Sequence, residues 1–249
     1  MIGNKVKISF LGISGWYDSE LGNTVCSLIE TKDAYIVLDA GFGIAKLDQY
    51  IKDKNKKIYL FLSHFHIDHI CGLHVLCKFN FRQGITIVGQ KGTREVLNTF
   101  LAPIHSVPLR KLSYPVKIVE VLPGWYSQPV SFQCLPLRHS VKCYGYRFVV
   151  GGKVVSYCTD TGYCKNVLRL CDKADLAVLE CSFRPGEKSK EWPHLNPETV
   201  VRIAEESDIN RSVMIHFDPS RYDVVLKQKV VSNSSRQIVD GKDNLNVCI

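Results

Sequence analysis

Short apolar runs separated by polar turns organise this chain. Alternating and continuous hydrophobic stretches predict strands at Val6–Leu11, Val25–Glu30, Tyr35–Asp39 and Ile58–Leu62. A second series follows at Val116–Leu122, Val130–Leu137, Tyr146–Val150, Val154–Cys158, Leu176–Leu179 and Val213–Ile215. Helical spacing interrupts them twice. Ile44, Leu47 and Ile51, after Gly43, share one face of a short helix. Asn196-Pro197-Glu198-Thr199 offers an N-cap, a first-turn proline and an acidic first turn, opening a helix through Val200, Val201, Ile203 and Ala204. Gly151-Gly152 suits the turn of a tight hairpin from Tyr146 to Cys158. The polar tail Ser232–Asn246 reads as peripheral, with Leu245–Ile249 as an edge strand, and no repeat or low-complexity tract is present. An α/β architecture of two mixed sheets packed face to face, with helices outside, accommodates this order and brings the strand ends to one edge.

A chain of 249 residues at 45% hydrophobic can bury a large core as a single domain spanning 1–249. It has no N-terminal apolar h-region, and no uninterrupted apolar segment approaches the roughly 20 residues of a bilayer span. A soluble cytoplasmic protein without membrane partners is the expectation. Ten cysteines spread from Cys26 to Cys248 form no Cys-x-x-Cys pair, and Cys134 and Cys158 sit in apolar strand patterns, so they read as reduced and structural. The net charge of +8 accords with a phosphate-bearing partner. The run Lys52–Lys57 reads as a solvated loop.

The chemistry is concentrated in Ser63-His64-Phe65-His66-Ile67-Asp68-His69, directly after an apolar strand. If the segment stays extended, His64, His66 and Asp68 share one side and converge on one point, while Phe65 and Ile67 turn into the protein. His69 breaks the alternation and reaches a second cation, with Asp68 on the same ion. Imidazole nitrogen with carboxylate oxygen suits zinc best, and iron or manganese less well. Three more candidates stand at strand ends: His139, Asp160 within Thr159-Asp160-Thr161-Gly162, and His216. Together these make seven ligands for two ions. His74 and His105 lie outside the pattern, and Trp125 and Tyr126 read as packing residues.

In this order, His64/His66/Asp68/His69, His139, Asp160 and His216 resemble the metallo-β-lactamase superfamily of dinuclear hydrolases, as do Asp39-Ala40-Gly41 and Leu73 after Cys71-Gly72. Within it, Arg138-His139-Ser140 before Tyr144-Gly145-Tyr146, Trp192-Pro193-His194, and His216-Phe217-Asp218-Pro219-Ser220-Arg221-Tyr222 are similar to the ribonuclease Z-like branch. The resemblance covers nearly the whole chain and implies a four-layer αββα sandwich. It further implies that His64, His66 and His139 hold one divalent ion, that Asp68, His69 and His216 hold the other, and that Asp160 bridges them. Asp68 would assist the attacking water and His194 the leaving group, in hydrolysis of a phosphodiester, small molecule or RNA. Ser140 and Tyr146 are candidates to contact phosphate or support the ligands, and proteins of this branch often pair as homodimers.

One departure bears on substrate. Where ribonuclease Z enzymes carry a protruding tRNA-gripping arm between the positions of His139 and Asp160, this chain has only the Gly151-Gly152 hairpin. The opening Leu11-Gly12-Ile13-Ser14-Gly15 matches the branch loosely. A phosphodiesterase without the arm is the leading expectation. The alternatives are a tRNA 3′-processing endonuclease, a glyoxalase II-like thioesterase, a β-lactamase, and a non-catalytic RNA- or protein-binding subunit.

Overall fold

The structure is a computed structural model and describes residues 6–234 and 237–249. Residues 1–5 of the expected 1–249 domain, and 235 and 236 of the tail, lie outside the described residues. One sheet is built from β1 (Lys7–Gly12), β2 (Cys26–Glu30), β3 (Ala34–Leu38), β4 (Lys57–Phe61), β5 (Ile85–Gln90) and β6 (Val116–Val121). The other takes β7 (Gly124–Tyr126), β8 (Phe132–Pro136), β9 (Tyr144–Val150), β10 (Lys153–Cys158), β11 (Leu176–Glu180), β12 (Ser212–Ile215) and β13 (Ile238–Asp240), and β14 (Asn246–Cys248) returns to pair with β1. Each sheet has seven strands, in the orders β14-β1-β2-β3-β4-β5-β6 and β13-β12-β11-β10-β9-β8-β7.

Pleat alternation decides which side chains enter which layer. From the first sheet Ile8, Phe10, Ile36, Leu38 and Phe61 face the second sheet, while Leu28, Tyr35, Val37, Ile58 and Leu60 face the helical layer outside. Phe61 sits at the centre of the inter-sheet core, with its ring edge-on to Phe132, Tyr146 and Phe148 at centroid separations of 4.9, 5.3 and 5.0 Å. The outer layer on this sheet comprises α1 (Ile67–Ile70), α2 (Thr93–Phe100) and 3-10 turns over Phe42–Gln49 and Cys71–Lys78. Residues of α3 (Lys165–Cys171), α4 (Pro197–Glu206) and α5 (Val224–Ser232) join the core around the second sheet. The result is the expected αββα sandwich.

The elements differ from the sequence reading in four places. The helix after Gly43 is 3-10 rather than α, although Ile44, Leu47 and Ile51 are buried as the spacing requires. Between His69 and Val116, where no strand or helix is predicted, β5 and α2 form. The short β7, and α3 and α5, are likewise unpredicted. The tail is not peripheral: β13 closes the second sheet beside β12, with Ile238 buried and Asp240 held by the Lys227 ammonium at 2.6 Å. As expected, Asn196 caps α4 by accepting the Thr199 backbone N–H at 3.0 Å. The β9–β10 hairpin turns on Gly151 and Gly152, both at positive φ. Among the described residues no helix is long and apolar enough to cross a membrane.

Candidate metal centre

Both sheets deliver chemistry at the same edge. Asp39 follows β3, Ser63 and His64 follow β4, His139 follows β8, Asp160 follows β10, Glu180 ends β11 and His216 follows β12. Asp39, Asp160 and His216 adopt left-handed backbone, with φ of 57°, 52° and 57°. Non-glycine residues take that conformation at a cost, and it occurs here where the chain leaves a buried strand and must turn a polar side chain sideways. Gly15 lets the first loop close over the site: a Cβ there would lie 2.8 Å from the His216 ring. Gly72 does the same beneath it, since a Cβ would meet the Gly41 carbonyl at 2.3 Å.

The extended alternation expected through His69 ends at His66. His66 is the N-cap of α1, so Ile67 to Ile70 turn helically and Asp68 swings away from His64 and His66. Ile67, expected to point inward, is 62% exposed for the same reason. The seven candidate side chains nevertheless gather in two sets whose ligand atoms lie within 4.8 Å of one another: His64, His66, His139 and Asp160, and next to them Asp68, His69 and His216. Asp160 stands between the sets. Its Oδ1 is 3.1 Å from His69 Nε2 and 3.3 Å from His216 Nε2, and its Oδ2 is 3.7 Å from both His64 Nε2 and His139 Nε2. His74 and His105 are exposed and join neither set.

The outer hydrogen bonds fix which ring nitrogen faces inward. Ser182 donates its hydroxyl to the His216 carbonyl at 2.8 Å, so its oxygen accepts from His216 Nδ1–H, also at 2.8 Å. Ser63 donates to Asp39 at 2.8 Å and accepts from His64 Nδ1–H at 3.0 Å. His69 Nδ1–H donates to Asp39 directly at 2.9 Å. In all three rings Nδ1 is taken by an outer partner and Nε2 is aimed at the cluster, the arrangement by which outer partners orient metal-binding imidazoles. His69 Nε2 and His216 Nε2 face each other at 3.2 Å, and His64 Nε2 is buried without a hydrogen-bond partner among the described residues. Two ring nitrogens crowded together against the Asp68 and Asp160 carboxylates, beside an orphaned buried one, make a cluster that a shared cation satisfies. This donor set therefore fits divalent metal.

The electrostatics divide the rings: burial pulls His69 and His216 down, but Asp160 and Asp68 outweigh it and raise both, while His64 and His139 go the other way. Burial pushes the His64 pKa well below its ordinary value and takes His139 to about 4, which keeps both rings neutral and able to donate a lone pair. Burial opposes ionisation of Asp160, but His216 and His69, themselves pushed toward the protonated form, outweigh it and hold the carboxyl well below the usual range.

His194 stands against both sets, its ring 5.3 Å from that of His139 and 5.9 Å from that of His216. It also shares a potential ligand group with Asp160 and His216. Its Nδ1 bonds to Glu180 Oε1 at 2.8 Å, and although burial pulls the ring down, the Glu180 carboxylate raises its pKa to about 9. Glu180 is absent from the sequence reading. Its signal was an acidic residue closing a fully buried strand, the context that singled out Asp160 and His216. Backbone N–H groups of Thr161 and Ser182 hold that carboxylate at 2.6 and 3.1 Å. Trp16 is a second omission: its backbone N–H donates to Asp68 Oδ2 at 2.9 Å. Tyr146 is not at the site, being fully buried with its hydroxyl on the Leu62 carbonyl at 2.7 Å, while Ser140 is exposed.

A family model described as the beta-lactamase superfamily domain matches residues 34–217. Ribonuclease Z of Acaryochloris marina is 24% identical over 277 residues, covering 86% of each chain. YhfI of Bacillus subtilis, a probable metallo-hydrolase, is 25% identical over 217 residues, covering 85% of this chain and 87% of the relative. The crystal structure of YhfI superposes with a TM-score of 0.80 at 21% identity, covering 99% of this chain and 100% of that one. The short form of human tRNase Z superposes at 0.76 and 19% identity, covering 97% and 98%. The strand order and the family model's match across most of the chain lead to one conclusion: the chain belongs to the metallo-β-lactamase superfamily of hydrolases.

Proposed function

We propose that the protein is a dinuclear metal-dependent phosphodiesterase working from a single domain. His64, His66 and His139 would hold one divalent ion and Asp68, His69 and His216 the other, with the Asp160 carboxylate shared between the two sets; the imidazole-rich set favours zinc, with manganese or iron as alternatives. The observation that carries this is the Asp160 carboxylate, within 3.1–3.7 Å of ring nitrogens from four histidines drawn from both sheets. When bound, such ions acidify water and offset charge growing on a phosphoryl group, so no protein nucleophile is needed. Asp68 is fixed through Oδ2 by Trp16 N–H before substrate arrives, which sets it to orient the attacking water. Glu180 occupies His194 Nδ1, so Nε2 is the atom left to face the departing oxygen and hand it a proton. The relatives named ribonuclease Z and the His194–Glu180 pair favour phosphate over thioester chemistry. The test combines elemental analysis with turnover of bis(p-nitrophenyl) phosphate and of a glutathione thioester. About two ions per chain and cleavage of the diester alone are expected; metal-free protein after zinc or manganese loading, or preference for the thioester, overturns the proposal.

A further inference from the structure

We infer that Trp16 and Trp192 form a stacking shelf for a nucleobase of the substrate, and that the next phosphate along the strand enters the basic pocket behind His194. The inference deepens the phosphodiesterase reading and rests on it. Single exposed apolar residues need no explanation. Two tryptophans together at the mouth of a polar site do. Trp16 is 55% and Trp192 44% exposed, and their rings meet at 6.1 Å with planes inclined by 45°. Trp192 also lies 5.8 Å from the His66 ring and 6.4 Å from that of His139. Trp16 is tied to the other side of the cluster through its backbone bond to Asp68. It holds this place in left-handed backbone, at φ 60°, which is unfavourable for a bulky side chain. The chain thus keeps two indole faces in water directly over the metal centre, where an apolar side chain could be accommodated more cheaply elsewhere. An indole face stacks on any nucleobase.

The second observation lies on the far side of His194. A cavity of about 490 Å³ is lined there by Arg138, Lys188, Lys190, Arg202 and Glu187, among others. Glu187 is engaged by Arg221 at 3.1 Å, and Arg202 pairs with Glu206 at 2.7 Å while lying over the Tyr163 ring. Arg138, Lys188 and Lys190 form no ion pair among the described residues, so the pocket has cationic capacity to spare for an anion. Contacts run from Trp192 to His139, from His139 to His194, and from His194 into the pocket. A nucleotide laid along that line meets an aromatic face, the metal centre and a cationic pocket in turn. A compact phosphodiester without a base leaves both ends unused.

The chain has three tryptophans, and Trp125, on β7, makes no ring contact with the other two among the described residues, so Trp125→Phe makes Trp16 and Trp192 the only fluorescent indoles. Metal-loaded protein in that background is titrated with AMP, ribose 5-phosphate and adenosine 3′,5′-bisphosphate, with bis(p-nitrophenyl) phosphate turnover measured in parallel. AMP is expected to quench fluorescence and to bind about tenfold tighter than ribose 5-phosphate, equivalent to about 1.4 kcal/mol. Trp192→Ala or Trp16→Ala should erase the preference, and Trp192→Phe should keep most of it. The second phosphate should tighten binding, a gain lost in Lys188→Ala/Lys190→Ala. Equal binding of AMP and ribose 5-phosphate, or a base preference unchanged in both alanine variants, overturns the shelf. A base preference with no diester turnover leaves the shelf standing and defeats the phosphodiesterase reading instead; turnover without base preference does the reverse.

Discussion

Asp39 does not join either set of candidate ligands, yet four donors converge on its carboxylate: the Ser63 backbone N–H and hydroxyl, His69 Nδ1–H and the Tyr157 hydroxyl, at 2.7–2.9 Å. Its role is to hold two imidazoles in register. Asp39→Asn keeps the volume but places an amide where acceptors are needed, so metal affinity should fall about 10- to 100-fold with the fold retained. Chelator competition monitored beside circular dichroism is the check, and unchanged affinity would restrict Asp39 to folding. Asp160→Ala should loosen both ions and abolish turnover, whereas His74→Ala and His105→Ala should leave metal content and rate nearly intact. Equal losses in all three would mean the ligand assignment is wrong. His194→Ala should spare metal but slow turnover by about 10²-fold or more, with a smaller defect for a p-nitrophenolate leaving group that needs little protonation; an identical defect on poor and good leaving groups removes His194 from that role. The seven histidine and aspartate candidates were legible as residues because metal-type side chains after apolar runs are rare in combination. Glu180 and the work of Asp39 were not, because their partners come from elements up to 118 positions away.

At the scale of elements, the shortest helix matters most. Four residues of α1 are too few for a helical period to show in sequence, and the alternation that places His64 and His66 correctly misleads for Ile67 and Asp68. The β9–β10 hairpin, by contrast, was readable from two adjacent glycines. Its brevity limits the grip on a folded RNA, so precursor tRNA should bind modestly and with a shallow salt dependence, since each phosphate contact steepens the slope. Short nucleotide diesters that reach the Trp16–Trp192 shelf and the basic pocket should be cleaved with efficiency comparable to RNA. Tight, steeply salt-dependent tRNA binding with accurate 3′ cleavage would restore the processing role. The cap on α4 offers a stability test independent of activity: Asn196→Ala removes the acceptor for Thr199 N–H and should cost about 1 kcal/mol, lowering Tm by about 2–4 °C for a domain of this size.

Across the whole molecule, both sheets repeat one sequence of pairings. From β14 to β6 and from β7 to β13, three antiparallel contacts are followed by three parallel ones. Asp39 after β3 and Asp160 after β10 then occupy equivalent places in the two halves, with the same left-handed backbone. No sequence repeat announces this, because pairing order is non-local and the pattern of apolar runs specifies strands without specifying neighbours. Phe61, with three aromatic partners across the interface, is where the halves are packed hardest against each other, and Phe61→Ala should cost about 3–5 kcal/mol. The metal candidates straddle the same seam: His64, His66, Asp68 and His69 come from one half, His139, Asp160 and His216 from the other. Ions held there would act as staples across the sandwich. Binding only the folded state, each would raise stability by about 2.7 kcal/mol when free metal is 100-fold above its Kd. Catalysis and cohesion then draw on one set of bonds, and a chelator that silences the enzyme should also lower its melting temperature.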